Sequence, residues 1–548
     1  MAEIQLGNNF DFLRHVITLR SVGRVAVLIG RGVVVGIGTA ARGPAMVPYG
    51  VSKNSQIKTI YDSGDLKDGL ETVLDQGADV AYGVRVLGED YASATLDLVD
   101  SQTPGVKVGQ FDAIGPGVWG NVPTFTIANG DLDGTIKTTF PGTGQTSAYI
   151  LDMDDLVESI VNYVKVAGTT KTIIYTGTPD PGEVKLDKTI GSLTFATGEW
   201  PTSAQQIEVR YKFHSRKITV QDEVGLPVVY NNLMTLEAIA AKFNSSNIAR
   251  FTPATGATHL PEVMSATNMA GGGDGDTITI DDWETAFGAV EDYFQGINDI
   301  VPSSVFTTAC EVTEGQGDIV PLMDAFLWRM ADRKRPLQGF VSLPADWTAQ
   351  EMADFKAGYS NLWMTILSNG WSATERDLAP ARAGQEAALP LGTSPATASN
   401  SLKGIDGLLW QWSEVERETL TYAGLEVLIK DTGVHPYVGV ATDLDDNFRR
   451  TVDVRTIANC VIFMDKIVAK FLNERRTLTN LRRLENSLNL FLDGLAKQSV
   501  LDDFDIAVTA NVADHNAVDI ESWIQTVGHM ERFYHTMNVG YWSDAVAE

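Results

Sequence analysis

A chain of 548 residues exceeds what one hydrophobic core normally serves, so about two to four domains are expected. Its 44% apolar residues and mean hydropathy of −0.04 exclude disordered, collagenous and fibrous classes. With 70 acidic against 42 basic residues, the formal charge of −28 argues against general nucleic-acid or anionic-membrane binding. No apolar run reaches the ~18 residues of a membrane span, and Met1-Ala2-Glu3-Ile4-Gln5 lacks the basic and apolar regions of a signal peptide. Folding in a cytoplasm, with Cys310 and Cys460 as buried free thiols, is therefore expected.

Residues 1–24 read as an arm. Val16, Ile17, Thr18 and Leu19 form a short β-prone segment between glycine-containing flanks, and a lone strand must pair elsewhere. Val25–Ile29 and Val33–Ile37 are continuous apolar runs of the kind buried on both faces. The spacing of Leu66, Leu70, Val73 and Leu74 predicts a helix over 65–76 that stops at Gly77, and a strand is expected over 80–86. This β-α-β order predicts an α/β layer.

From 105 to 255, short β-prone segments such as Phe125-Thr126-Ile127, Thr172–Tyr175 and Ile207–Tyr211 alternate with Pro-Gly and Thr-Gly turns. They predict a small barrel or sandwich inserted into the α/β layer. Gly271, Gly272, Gly273, Asp274 and Gly275 are too flexible to pack as helix or strand, so they form a loop shaped by backbone. Positive φ or close backbone approach is expected at its glycines, with strain in Gly273→Val. A helix capped by Asp276 or Asp281 follows, running to about Tyr293. The α/β character continues through Val305–Thr307 and Phe340–Leu343. The Pro/Ala/Gly/Ser-rich stretch 379–401 reads as a surface loop or linker.

A last domain is expected from Leu402. Glu414–Ala423 reads as a helix ended by Gly424. Ile457, Cys460, Val461, Met464, Ile467, Val468, Phe471 and Leu472 form an amphipathic stripe, with Lys466 and Lys470 pointing away from it. Leu484, Leu488, Leu492 and Leu495 mark a further helix. Near the end, Phe533, His535, Met537, Val539 and Tyr541 lie on one side of a strand-like segment.

Between Arg449 and Arg483 nine basic residues meet three acids (Asp453, Asp465, Glu474), an excess of six in an acidic chain. If one helix spans them, Arg475, Arg476, Arg482 and Arg483 share a face, since a seven-residue step rotates only about 20°. That face either meets a negative partner or is a solvated surface with intrachain ion pairs.

Motifs for chemistry are weak. Gly36-Ile37-Gly38-Thr39-Ala40-Ala41 fits a dinucleotide pattern, but Arg42-Gly43-Pro44 blocks the helix it needs. Asp443–Asn447 opens like a calcium loop, yet Phe448 stands where glycine is required. No phosphate loop, zinc-protease helix or nucleophile elbow occurs, and seven histidines (His15, His214, His259, His435, His515, His529, His535) lack partner spacing. No catalytic, cofactor or metal residues are expected, although a serine triad assembles from distant residues and escapes such a search.

Six segments, in order, resemble the contractile tail sheath proteins of phages and related injection machines. They are Gly38-Thr39-Ala40-Ala41-Arg42-Gly43-Pro44, Tyr82-Gly83-Val84-Arg85-Val86, Pro116-Gly117-Val118-Trp119-Gly120-Asn121, and Gly272-Gly273-Asp274-Gly275. Glu416–Leu420 with Ala423-Gly424-Leu425 and Phe448–Ile457 complete the set. Two features depart from the family. Only Arg455 follows Val454, where the family often has two arginines, and its Ala-Arg-Thr-Asp step is not recognisable around Ala379–Gln385.

The resemblance implies an α/β multidomain fold. Its parts are an N-terminal arm (1–24), a subtilisin-like α/β middle domain without catalytic residues (25–104 and 256–401), an inserted β-rich outer domain (105–255), an α+β C-terminal domain (402–531) and a C-terminal arm (532–548). It implies a non-enzymatic subunit in stacked hexameric rings around a tail tube, in a virion tail or injection particle. Partners are then other copies, the tube protein, and baseplate and terminator proteins, with no nucleic acid and no membrane insertion. The arms add strands to neighbouring subunits, and Arg475, Arg476, Arg482 and Arg483 are candidates to contact the tube. A subtilisin-like hydrolase and another virion or baseplate protein are the alternatives.

Overall fold

The computed structural model describes residues 32–101, 105–144, 148–222, 226–296, 300–309, 319–445, 449–512 and 517–528. The arm segments Val16–Leu19 and Phe533–Tyr541, the run Val25–Ile29, and Cys310 lie outside the described residues.

The first strand, β1 (Val33–Gly38), is buried along nearly its whole length, as an all-apolar run must be. After the short β2 (Tyr49–Val51) and α1 (Asn54–Tyr61), α2 spans Asp65–Gln76 with Leu66, Leu70 and Val73 fully buried. It ends at Gly77 (φ 108°), whose N–H donates to the Leu74 carbonyl. β3 (Val80–Arg85) then pairs parallel to β1, from Val33 opposite Val80 to Gly38 opposite Arg85.

The chain next enters a β-rich region. Its strands are β4 (Thr95–Val99), β5 (Lys107–Ala113), β6 (Thr124–Pro141), β7 (Ala148–Ile150), β8 (Leu156–Val157), β9 (Tyr163–Val166), β10 (Thr169–Ile174), β11 (Glu183–Asp187), β12 (Ser192–Phe195), β13 (Gln206–Gln221) and β14 (Val228–Leu233). Helix α3 (Leu236–Phe243), β15 (Ala249–Pro253) and β16 (Met264–Asn268) close it. One sheet runs β15-β5-β4; the other has ten strands in the order β16-β6-β13-β9-β10-β11-β12-β7, with β8 and β14 also on β13. Pairing therefore extends outside 105–255, because β4 joins β5 and β16 joins β6.

β13 alternates with Ile207, Val209, Tyr211 and Phe213 inward. A bulge between His214 and Arg216 shifts the inward set to Arg216, Ile218 and Val220. Arg216 is thereby turned inside, where its Nη1 lies 2.8 Å from Asp155 Oδ2. Phe111, Phe125, Phe243 and Phe251 form an aromatic centre for this core.

The chain returns through α4 (Ile280–Gly296), β17 (Ser304–Thr307), α5 (Val320–Asp332), β18 (Gln338–Ser342), α6 (Ala349–Lys356) and β19 (Met364–Leu367). These strands complete a six-stranded sheet, β19-β18-β17-β1-β3-β2, parallel except for β2. Alternate β1 side chains feed two cores: Val35 and Ile37 face the one containing Phe287 and Phe326, and Val34 faces the one containing Leu66 and Leu70.

The stretch 379–401 corrects the sequence reading. It opens with a helix, α7 (Ala379–Ala388), buried from Ala379 through Ala387. Its small residues permit tight packing on α2: a Cβ at Gly384 would come within 2.9 Å of Val73 backbone atoms. A composition that looks like a linker is here the requirement for close helix approach.

α8 (Glu414–Tyr422) begins with a complete Ser413/Glu416 capping box. The hairpin of β20 (Leu428–Lys430) and β21 (Val434–Pro436) follows. Leu402, Leu428 and Val434 enter one core flanking the six-stranded sheet; Leu420, Leu425, Val427 and Ala441 enter the other.

α9 (Thr451–Phe471) is buried all round over Thr451–Thr456, and beyond that packs a stripe of Cys460, Met464 and Ile467. Leu472 falls past its end and is exposed, Lys466 is half-buried and Lys470 exposed. α10 (Leu478–Ala496) buries Leu484, Leu488, Leu492 and Leu495, and the hairpin of β22 (Leu501–Ala510) and β23 (Val518–Thr526) packs beside it. Since α9 ends before Arg475 and α10 begins after Arg476, no single helix spans the four arginines. No helix among the described residues is long and apolar enough to cross a membrane.

Candidate functional site

Four of the segments quoted above converge on one side chain. Arg85, at the end of β3 and 1% exposed, directs its guanidinium into the junction between the α/β layer and the β-rich region. Nε donates to Ala40 O (2.7 Å), Nη1 to Gly43 O (3.2 Å) and Pro116 O (2.7 Å), and Nη2 to Ala41 O (3.3 Å) and Asp274 Oδ1 (3.2 Å). The five N–H groups of an arginine thus meet five acceptors on three loops. Burial pulls this guanidinium below its usual range, against the opposing attraction of Asp274.

The outgoing and returning chains hydrogen-bond to each other at this point. Ala92 and Gly273 exchange both backbone bonds at 3.0 Å, and Thr95 and Ala270 exchange theirs at 2.8 and 2.9 Å. Asn121 clasps Gly272 from the side: its Nδ2 donates to the Gly272 carbonyl (2.9 Å) and its Oδ1 accepts from the Gly272 N–H (2.8 Å). Trp119 Nε1 donates to Pro116 O (2.9 Å), and the Arg42 guanidinium lies 5.1 Å from the Trp119 ring centre while pairing with Asp222 at 2.8 Å. The glycine-rich loop is therefore one half of a two-chain neck.

Its glycines differ in role. Gly275 has φ 80°, and a Cβ there would meet Glu89 O at 2.4 Å. Gly273, where strain was expected, has open space and no positive φ. The helix that follows is capped by neither Asp276 nor Asp281. Asp282 Oδ2 accepts from the Thr279 N–H (2.7 Å) and hydroxyl (2.8 Å), folding the preceding turn onto the first turn of α4.

A second, wholly buried constellation joins α7 to α9. Arg382 Nε donates to Glu426 Oε1 at 2.7 Å, its Nη1 pairs with Glu386, and its Nη2 reaches Thr451 Oγ1 at 3.2 Å. Arg455 Nη1 lies 2.8 Å from Glu386 Oε1, and Arg455 also donates to the carbonyls of Glu386, Pro390 and Thr393. Burial raises Glu426 to about 7 against the pull of Arg382. Burial also acts upward on Glu386, but Arg455 and Arg382 outweigh it and hold that carboxyl below its usual range. Nearby, burial lifts Asp377 to about 6 although Ser342 and the Ala379 N–H donate to it. The Ser342 hydroxyl lies within hydrogen-bond distance of both Asp377 Oδ1 (2.5 Å) and the Gly370 carbonyl (3.2 Å).

The nine basic residues do not gather into one face. Arg449 donates to Thr421 O, Arg450 pairs with Asp453 at 2.8 Å, and Arg455 is buried. Arg476 donates to Asn511 O and Ala517 O on the β22–β23 hairpin; Arg483 lies 3.5 Å from Glu474 and 5.7 Å from the Phe471 ring centre. Arg475, on the α9–α10 connection, and Arg482, on α10, are exposed. Cys460 is buried, and desolvation pushes its thiol up to about 12.

Arg85 and Arg382 were not singled out as site residues from the sequence. The available signal for Arg85 was a charge inside the apolar run 80–86, which has to find buried partners. Arg382 carried no such signal.

No protein-family model matches the sequence, and none of the curated proteins does. Solved structures do. A sheath tail protein from Listeria innocua is similar over 94% of this chain and 95% of its own, with a TM-score of 0.57 and 15% identity. One from Desulfitobacterium hafniense is similar over 92% of this chain and 95% of its own, with a TM-score of 0.52 and 11% identity. At such identities the likeness establishes architecture, and it spans nearly the whole of both chains: this protein has the fold of the sheath tail proteins.

Proposed function

We propose that the chain is a structural, non-enzymatic subunit of a contractile tail sheath, assembling as stacked hexameric rings around a tail tube and contracting to drive that tube through a cell envelope. The observation that carries this reading is the likeness to two sheath tail proteins along almost their entire length. The particle is a virion tail or an injection system, and the other partners are baseplate and terminator proteins. In this reading the subtilisin-like middle domain and the β-rich insertion meet at the Arg85 neck, the insertion faces outward and the C-terminal domain lines the inside. Arg475 and Arg482 are the foremost tube contacts, with Arg476 and Arg483 beside them.

The arms 1–24 and 532–548 act as stitches between subunits. The β22–β23 hairpin supports this role: the two strands pair only with each other among the described residues, and each leaves an outer edge. Trp523 on β23 is 48% exposed. A two-stranded ribbon is marginal alone and gains about 0.5–1.5 kcal/mol net per added backbone bond. Val16–Leu19 and Phe533–Tyr541 from neighbouring copies are the strands assigned to those edges.

Electron microscopy of the full-length protein tests the assembly: striated tubes are expected, and exclusively monomeric protein under all assembly conditions contradicts it. A chain ending before Arg532 is expected to stay folded and soluble by circular dichroism while forming no sheaths; normal tubes from it would remove the C-terminal stitch.

A further inference from the structure

The β22–β23 hairpin has two unlike faces. Toward the core it shares with α10 it turns Phe504, Ile506, Val508, Val518, Ile520 and Ile524. The register fixes the opposite face: Asp503 stands across from Gln525, Asp505 from Trp523, Ala507 from Glu521 and Thr509 from Asp519. Directly opposed residues point to the same side of a ribbon, and all of these are exposed.

Asp503, Asp505, Asp519 and Glu521 thus share one face, and neither strand contains a lysine or an arginine. Their hydrogen bonds do not offset the charge: Asp503 accepts from the Phe504 N–H (2.9 Å) and Asp519 from Asn511 Nδ2 (2.8 Å), both neutral donors. Arg476 reaches the hairpin at its turn, on the Asn511 and Ala517 carbonyls, and none of the four acids is in an ion pair among the described residues. Like charges crowded on one face weaken a two-stranded ribbon that is marginal alone. A cationic strand laid along its edge relieves them.

The N-terminal arm has the complementary pattern. From Phe12 to Arg24 it contains Arg14, Arg20 and Arg24 and no acid. In extended form, Arg14, Val16, Thr18 and Arg20 fall on one side and His15, Ile17 and Leu19 on the other. The parity is that of the hairpin, charged on one face and apolar on the other, with the sign of charge reversed. The C-terminal segment Phe533–Tyr541 has no lysine or arginine on either side.

We propose that charge decides which arm the outer edge of β23 accepts and which way up it lies: the segment Arg14–Arg20 of a neighbouring copy adds there with its arginine side on the acidic face. This rests on the reading of the arms as stitches and gives it a specificity. Arginines six residues apart in an extended strand are separated by roughly 20 Å, as are Asp519 and Gln525 along β23. One arginine then meets Asp519 and Glu521. The other lies diagonal to Trp523, whose ring is 48% exposed and open to a guanidinium, with Asp505 across from it. Ile17 and Leu19 extend the apolar layer of Ile520 and Ile524.

Hydrogen exchange of the full-length protein at assembling concentrations, read by mass spectrometry on peptides from 12–22 and 518–526, tests it. Both peptides should be protected together in the wild type, and less so as salt rises from about 0.05 to about 0.5 M. Arg14→Glu with Arg20→Glu should lower that protection at least about tenfold. Adding Asp505→Lys, Asp519→Lys and Glu521→Lys to the same chain should restore it. Protection that is absent from the wild type, unchanged by the arm reversal or not restored by the swap overturns the proposal. Striated tubes whose protection ignores these charges sink this inference and leave the sheath reading standing; charge-dependent protection in a protein that forms no tubes does the reverse. Should the lysine variant fail to fold, the arm reversal and the salt series decide, since both leave the hairpin sequence untouched.

Discussion

Removing the Arg85 guanidinium would take that donor from the Ala40, Ala41 and Gly43 carbonyls at the neck, while Pro116 O would keep Trp119 Nε1 and Asp274 Oδ1 the Val118 N–H. Arg85→Met should therefore cost about 3–5 kcal/mol, and Arg85→Lys should recover less than half, because an ammonium cannot serve five directions at once. Hydrogen exchange at the Ala92, Thr95, Ala270 and Gly273 amides reads this locally. Protection within about 1 kcal/mol of wild type would show that the backbone ladder alone holds the neck. The two loop glycines make a paired test. Gly275→Val forces a β-branched residue to positive φ against Glu89 O and should cost at least about 1–3 kcal/mol, whereas Gly273→Val should cost less than about 1 kcal/mol. Comparing their thermal midpoints checks the assignment; equal losses would contradict it.

At the scale of elements, the Arg382–Glu386–Glu426–Arg455 cluster makes the α7–α9 packing sensitive to pH. Glu426 rises from its ordinary 4.5 to about 7 on burial, so between those values the native state holds more proton than the unfolded chain. Its contribution to stability therefore falls as pH rises through that window. Asp377, raised from 3.8 to about 6, acts in the same direction at somewhat lower pH. Glu386 is depressed and works oppositely: its contribution is present above the unfolded value and lost as pH falls. Glu426→Gln should flatten the decline between pH 5 and 7 by about 1–3 kcal/mol. Denaturation followed by Trp363, which is fully buried in the adjoining core, measures it. An unchanged pH profile would show that Glu426 stays ionised in the fold.

At the scale of the molecule, the Arg85 neck joins the β-rich region to the α/β layer through paired backbone, not a single flexible strand. If the protein is a sheath subunit, this favours motion of both parts as one body during contraction, with the deformation left to the arms. The tube contact is then a salt-sensitive part, because Arg475 and Arg482 are exposed and screening acts on such charges within about 10 Å at 0.1 M salt. Arg475→Glu with Arg482→Glu should leave folding intact and abolish coating of tubes, read by cosedimentation and microscopy. Coating at normal length and salt stability would give these arginines another role.

Much of the architecture was legible because its determinants are local. Periodicity and a glycine stop define α2, the run Glu414–Ala423 with Gly424 after it marks α8, a leucine stripe defines α10, and an apolar run defines β1. The glycine-rich loop was likewise recognisable as backbone-shaped. Its partners were not: Arg85 reaches Pro116 across 31 residues and Asp274 across 189, and no local pattern encodes such a meeting. The same holds for Asp100 and His259, which meet across 159 residues. α7 was misread because small residues serve an exposed linker and a tightly buried helix equally well. The break between α9 and α10 scattered a charge cluster that looked continuous in sequence. Composition and periodicity determined which segments become helix or strand; burial and long-range pairing, which exist only in the folded chain, decided what those segments hold together.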